Sequence, residues 1–194
     1  MNIYIVRHGK TSYNDQGVYY GNLDCSLNEE GMIQGKALNS RLKHINFSKV
    51  YVSPKKRAKE TLQIINPGCQ VIEDGRITER SFGIFEGLSY KEIEKRYPIE
   101  NKAWMEDWKG FTPKGGESFH DFYYRVRSFM EDIHKEKEDD ILVVTHGGVM
   151  KAIYCYILDD NDELYWRFTS KNGDMALIKY EDQYMFIDSI VHID

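Results

Sequence analysis

Apolar and polar positions alternate with two different periods along the chain, and the switches between them mark out its elements. Residues 3–7 form a short apolar run ending in Arg7, which predicts a buried strand closed by a turn at Gly9. The polar stretch 10–25 predicts a loop. A helix is expected from Ser26, which has capping-box spacing to Glu29, as far as about His44. Lys49–Val52 reads as a second strand. Ser53-Pro54 then reads as an N-cap and first-turn pair, opening a helix that ends before Pro67. A third strand is expected over Val71–Glu73, and Ser89 with Glu92 repeats the capping-box pattern before a short helix. The segment 97–116 reads as a helix followed by a loop that covers a site. Ser118 caps a long helix through about His134. Residues 141–144 (Ile-Leu-Val-Val) resemble a central parallel strand, and a helix follows to about Leu158. Residues 174–180 and Tyr184–Val191 read as a hairpin turning at Asp182 and Gln183.

Strands alternate with helices for most of the chain. That order predicts an α/β fold: a three-layer α/β/α sandwich with a mostly parallel central sheet, as a single domain over residues 1–194. No repeat or linker divides it. In such sheets ligands sit where loops leave the carboxyl ends of the strands. Arg7-His8, Ser53-Pro54 and Thr145-His146 each follow an expected strand, so their polar groups are expected to meet in one crevice.

Composition narrows the function. With 194 residues, 41% hydrophobic and 29% charged, the chain has the make-up of an ordinary globular domain. Its formal net charge of −5 argues against nucleic acid as a partner. An anionic substrate would therefore need positive charge gathered at one place. Three widely spaced cysteines (Cys25, Cys69 and Cys155) make neither a disulfide framework nor a CxxC metal or redox motif. No stretch has the length of a signal peptide core or a membrane span, so a cytoplasmic protein with no membrane partner is expected.

The candidate chemistry lies at the strand ends. A histidine at residue 8 has the makings of a nucleophile, because neutral imidazole attacks phosphorus when one nitrogen is unprotonated. Arg7 beside it offers a fork matched to phosphate oxygens. Arg57 falls in the first turn of a helix, where phosphate is favoured by free N–H groups and the helix dipole. Lys55, Lys56 and Lys59 on that helix read as a solvated face. Glu79 is a candidate proton donor to a leaving alcohol, with Glu86 as its competitor. His146, kept cationic beside phosphate, would stabilise charge on the transferred group. Each element alone is weak evidence.

Together they resemble the histidine phosphatase superfamily, the phosphoglycerate-mutase-like fold, over nearly the whole chain. The resemblance rests on Arg7-His8-Gly9-x-Thr11 with Asn14, Gly21, Asp24, Leu27 and Gly31. It continues through Ser53-Pro54 with Arg57-Ala58 and Thr61, Glu79 with Phe82-Gly83 and Glu86-Gly87, and residues 115–118 with Arg125. Residues 143–148 close the set. It implies that His8 is the nucleophile and phosphohistidine carrier. Glu79 is then general acid and later base, and His146 is the third catalytic group. Arg7, Arg57 and Asn14 bind the phosphoryl group, and Tyr20, Gly21 and Gly147 line the substrate site. Glu86 is structural. No metal and no cofactor are implied. Two positions depart from the family pattern: Lys10 stands where Glu is usual, adding positive charge near the site, and Tyr20 stands where many members have Gln.

Within the family, mutases carry a longer insertion after the Glu motif, with a paired-arginine cluster. This chain has neither, which favours hydrolysis over mutase chemistry. The segment 103–108 with Pro113, residues 18–21 and residues 163–168 look similar to α-ribazole phosphatases, and an aromatic pocket suits a flat leaving group. The expected partner is a small-molecule phosphomonoester, and the expected state is a monomer or homodimer. Phosphoglycerate mutase, a broad-specificity phosphatase and a non-catalytic phosphate-binding module are the alternatives. Trp104 and Trp108, four residues apart, are expected on one helix face, packing in the core or lining the pocket.

Overall fold

The computed structural model describes residues 1–136 and 139–193. Its centre is a sheet of six strands, in the order β3-β2-β4-β1-β5-β6. The strands are β1 (Asn2–Arg7), β2 (Lys49–Val52), β3 (Val71–Glu73), β4 (Asp140–Thr145), β5 (Met175–Glu181) and β6 (Tyr184–Val191). The first four run parallel, and β5 and β6 add an antiparallel hairpin beside β1. Asp182 and Gln183 make the hairpin turn, both with left-handed backbone.

The period-2 pattern of the central strands assigns the two faces. Ile141 and Val143 of β4, with Ile3 and Ile5 of β1, pack against α6 (Phe119–Ile133) and α7 (Gly147–Ile157). Leu142 and Val144, with Val6, Val50 and Val52, pack on the other face against α2 (Glu29–Leu42) and α3 (Lys56–Ile65). Both faces of β4 are thus fully buried, as a strand central to a parallel sheet requires. The result is the three-layer α/β/α sandwich that the sequence predicts.

Three local expectations are corrected. Helix α2 starts at Glu29 with Asn28 as its cap, not at Ser26. Leu27 is held extended by a bridge to Thr11, and its N–H donates to Glu60 Oε2 at 2.7 Å, so the chain cannot turn earlier. Helix α3 starts at Lys56, and Ser53 is not its cap. Its first N–H donates instead to the Asp24 carboxylate at 2.9 Å, which places a negative charge where the helix dipole favours one. Within 97–116 the helix α5 is Pro98–Glu106, so Trp108 lies beyond it and shares no helix face with Trp104. The loop 10–25 also holds a short helix, α1 (Ser12–Gln16), closed by a capping box between Thr11 and Asn14. The capping box of Ser89 and Glu92 forms as expected at the start of α4 (Tyr90–Arg96).

Candidate active site

Strand register brings the chemistry together. Arg7 pairs with Thr145 and Val52 with Val144, so the next residues, His8, Ser53 and His146, leave adjacent strand ends side by side. The His8 N–H continues the ladder to the Thr145 carbonyl at 2.9 Å, and the Ser53 N–H reaches the Val144 carbonyl at 3.0 Å. The chain can turn sharply after His8 because Gly9 lies against Gly31: a Cβ on Gly9 would sit 2.4 Å from the Gly31 carbonyl oxygen.

The His8 ring is buried and meets the His146 ring edge-on, with centroids 5.1 Å apart. Its Nδ1 lies 2.7 Å from the Gly9 carbonyl oxygen. A carbonyl can only accept, so Nδ1 carries the proton and Nε2 keeps its lone pair. Burial first, then the Arg57 and Arg7 charges, push this imidazole well below the usual histidine range. His8 is therefore neutral with a defined tautomer.

In the free site His146 is neutral, whereas the cationic form expected of it is the form beside bound phosphate. Its Nδ1 accepts from Arg57 Nε at 3.3 Å, and its Nε2 donates to Ser53 Oγ at 2.7 Å. Burial and the charges of Arg57 and Arg7 lower its pKa well below normal. Both ring nitrogens are thus accounted for in a neutral imidazole.

Arg57 is fully buried. Besides His146, it donates to the carbonyls of Leu23 at 2.8 Å and Gly21 at 3.0 Å, and it lies over the Tyr20 ring, 4.6 Å from the centroid. Gly21 thus holds the arginine by its backbone and does not itself line the cavity. Thr61 ties the two parts together: its hydroxyl accepts the Gly9 N–H at 3.0 Å and donates to the Arg57 carbonyl at 2.8 Å.

Arg7, Asn14, Tyr20, Glu79 and Gly147 all line a cavity of about 830 Å³. Arg7 donates through Nη1 to the Ser170 carbonyl, while its buried Nε finds no acceptor among the described residues. The amide oxygen of Asn14 accepts from the Thr11 N–H, the Tyr20 hydroxyl and the Asn172 amide. That leaves the Asn14 NH₂ as a donor with no acceptor among the described residues. Glu79 accepts the Gly148 N–H, at the start of α7, at 2.9 Å and the Arg80 N–H at 3.1 Å. Unmatched donors on Arg7 and Asn14 that line one cavity are what an oxyanion needs.

Other residues fall outside the cavity. Glu86 accepts N–H groups of Gly21, Asn22, Leu23 and Phe82 at 2.8–3.1 Å, so it ties the loop 20–24 to the Glu79 segment. Lys10 pairs with Asp15 and Glu30, both at 2.8 Å, which neutralises the charge it was expected to bring to the site. Trp104 and Trp108 both line the cavity, with Tyr19, Phe82, Tyr165 and Trp166 as further aromatic walls. Sequence reasoning missed Ser53 and Thr61 as positioning groups, although both stand in the quoted motif. It also missed Lys151, which lines the cavity one turn along α7 from Gly147 and Gly148. The signal was available: a lysine three and four residues after the two glycines shares their helix face.

Comparison with known proteins places the chain among phosphatases. A family model described as histidine phosphatase superfamily (branch 1) matches residues 3–192. Phosphoserine phosphatase 1 of Hydrogenobacter thermophilus is 32% identical over 182 residues, covering 92% of this chain and 86% of that protein. An adenosylcobalamin/alpha-ribazole phosphatase of Salmonella typhimurium is 29% identical over 89% of this chain and 87% of its own length. The crystal structure of the alpha-ribazole phosphatase from Shigella flexneri superposes with a TM-score of 0.91 at 25% identity, covering 96% of this chain and 94% of that one. The family match spans nearly the whole chain, and the chain belongs to branch 1 of the histidine phosphatase superfamily.

Proposed function

We propose that the chain is a phosphomonoester hydrolase that works through a phosphohistidine on His8, without metal or cofactor. The observation that carries this is the His8 tautomer. Its proton is held on Nδ1 by Gly9, so the lone pair on Nε2 is free to attack phosphorus. In the first step the Nε2–P bond forms as the P–O bond to the alcohol breaks, and the Glu79 carboxyl gives its proton to the departing oxygen. In the second, the Glu79 carboxylate takes a proton from water. The water oxygen then attacks phosphorus, the P–N bond breaks and inorganic phosphate leaves. Arg7 Nε–H and the Asn14 NH₂ are donors in place to hold the phosphoryl oxygens. Arg57 supplies the charge beneath them, joined by His146 once the bound phosphate raises its pKa.

The substrate is a small phosphorylated metabolite. The aromatic walls admit a flat leaving group, and α-ribazole 5′-phosphate is one candidate because two relatives bear that activity in their names. Unpaired cysteines accord with a cytoplasmic setting. The test is His8→Ala assayed on p-nitrophenyl phosphate, with the wild type quenched during turnover. The wild type is expected to yield an acid-labile, base-stable phosphoprotein, and the variant neither label nor turnover. Retention of most activity would remove His8 as the nucleophile. Conversion of 3-phosphoglycerate to its isomer in place of phosphate release would establish mutase chemistry instead.

A further inference from the structure

Two cations in the cavity are not used by the proposed mechanism: Arg80, whose Nε and Nη2 donate to the Glu117 and Phe111 carbonyls, and Lys151. Lys151 projects from α7 one turn beyond Gly147 and Gly148, and helical side chains lean back toward the helix start, here toward Glu79 and Arg7. The ammonium belongs to the leaving-group end of the cavity, because it lies against Tyr165 and Trp166, two of the aromatic walls that admit the leaving group. Its Nζ lies 3.9 Å from the centroid of the Tyr165 ring and 4.1 Å from that of Trp166. Those rings hold it in place. No hydrogen bond or ion pair to it occurs among the described residues, although a half-buried charge ordinarily has one.

The contrast with the other lysines near the cavity is informative. Lys109 pairs with Asp162 at 2.8 Å, and Lys10 with two carboxylates. Lys151 alone of the three keeps all its donors for something else. Burial depresses its pKa to about 8, so desolvation is incompletely compensated.

We propose that Lys151 is a specificity-determining residue that pairs with an anionic group on the leaving alcohol, so that the enzyme prefers phosphomonoesters bearing a carboxylate close to the ester. A carboxylate a few bonds from the phosphate would reach the ammonium while the phosphoryl group sits at His8. The aromatic rings would then flank the ion pair and exclude water from it. This rests on the hydrolase reading of the same cavity, and it favours a small phosphorylated hydroxy acid over an ester whose leaving group is flat and uncharged.

The test uses a matched pair, 3-phosphoglycerate and glycerol 3-phosphate, which differ by a carboxylate against a hydroxymethyl group. The readout is the ratio of their kcat/KM values for phosphate release. In the wild type the ratio is expected to be about ten to a hundred, the worth of one charge-assisted hydrogen bond. Lys151→Met should bring it close to one, and Lys151→Arg should keep most of it. The ratio should also decline as pH rises through about 8, as the ammonium loses its proton. The groups acting on that titration are Glu79, Arg7 and Cys155, with the Tyr165 and Trp166 rings in contact. A wild-type ratio at or below one overturns the proposal while leaving the hydrolase reading intact, provided p-nitrophenyl phosphate is still cleaved through phosphohistidine. A ratio above ten that Lys151→Met leaves unmoved also overturns it. Equal losses on both esters in that variant would mean that Lys151 acts on Glu79 and not on the leaving group. No cleavage of any ester by the wild type takes both readings away together.

Discussion

Replacing Glu86 by glutamine distinguishes a carboxylate that holds a loop from one that moves a proton. Glu86 Oε1 accepts from Asn22 at 2.9 Å and Phe82 at 2.8 Å, Oε2 from Leu23 at 3.0 Å, and Gly21 is shared between them. A glutamine keeps one acceptor and turns the other into a donor facing N–H groups. With its nitrogen at the Oε2 place the Leu23 N–H loses its acceptor; at the Oε1 place Asn22 and Phe82 both lose theirs. The first arrangement costs less and should be adopted. The bonds that remain fall from about 1.5–3 to about 0.5–1.5 kcal/mol each as the acceptor loses its charge. Asn22 and Leu23 are exposed, and water replaces part of the loss, so the net destabilisation should be about 2–4 kcal/mol. For a domain of this size that lowers Tm by roughly 4–16 °C in calorimetry. The same loop carries the Gly21 and Leu23 carbonyls that hold Arg57. Activity should therefore fall by a similar factor for aryl phosphates and for alkyl phosphates. An unchanged Tm, together with a loss confined to alkyl phosphates, would refute this reasoning and make Glu86 the proton donor.

Glu79→Gln should slow alkyl phosphates by about 10²-fold or more and p-nitrophenyl phosphate far less, because a good leaving group needs no proton; equal losses in steady-state kinetics would count against Glu79 as the acid. Gly148→Ala places a Cβ 2.2 Å from Glu79 Oε1 and 2.9 Å from the Tyr165 hydroxyl, so the carboxyl must move. A displacement of that size should cost about 10²-fold in kcat on alkyl phosphates, and wild-type kinetics in this variant would show that the position of Glu79 is not critical.

The sandwich was legible because the central strand β4 is an unbroken apolar run and the longest helix, α6, opens on its capping residue Ser118. The parts of the site that were legible are those whose role travels with a local motif: His8 after β1, Arg57 in α3 and His146 after β4. What escaped depends on groups that register or distant loops bring in. Ser53 reads as a cap in any local window, yet its hydroxyl is taken by His146, ninety-three positions away in the chain. Thr61 looks like a filler in α3 until Gly9 arrives beside it. The Ser26 cap failed because both Ser26 and Asn28 suit the role, and the Thr11–Leu27 bridge decides between them. Trp104 and Trp108 reach the same cavity by different routes, one from α5 and one from the turn after it. Lys10 illustrates the converse, since a cation near a motif in sequence is neutralised by carboxylates that sequence proximity does not reveal.

The charge on His146 joins the free site to the occupied one. In the free protein, burial and the two arginines keep His8 and His146 neutral. A bound tetrahedral dianion reverses the sign of the local field and raises both pKa values. His8 cannot accept the extra proton and still act, because its Nδ1 is already protonated and Nε2 must stay bare. His146 can accept it: its Nδ1 is engaged only by Arg57 Nε at 3.3 Å, a long bond that Arg57 can exchange for an oxyanion oxygen. Between the depressed pKa of the free state and the raised pKa of the bound state, binding must take up a proton, so affinity falls as pH rises through that window. Tungstate suits the measurement, since its dianion holds no proton near neutrality. Titration calorimetry in buffers of different ionisation enthalpy should show uptake approaching about one proton per bound ion near pH 7, and His146→Gln should abolish it. Zero uptake by the wild type would mean that His146 either is charged before the anion arrives or stays neutral after it, and in both cases this electrostatic account of the site would be wrong.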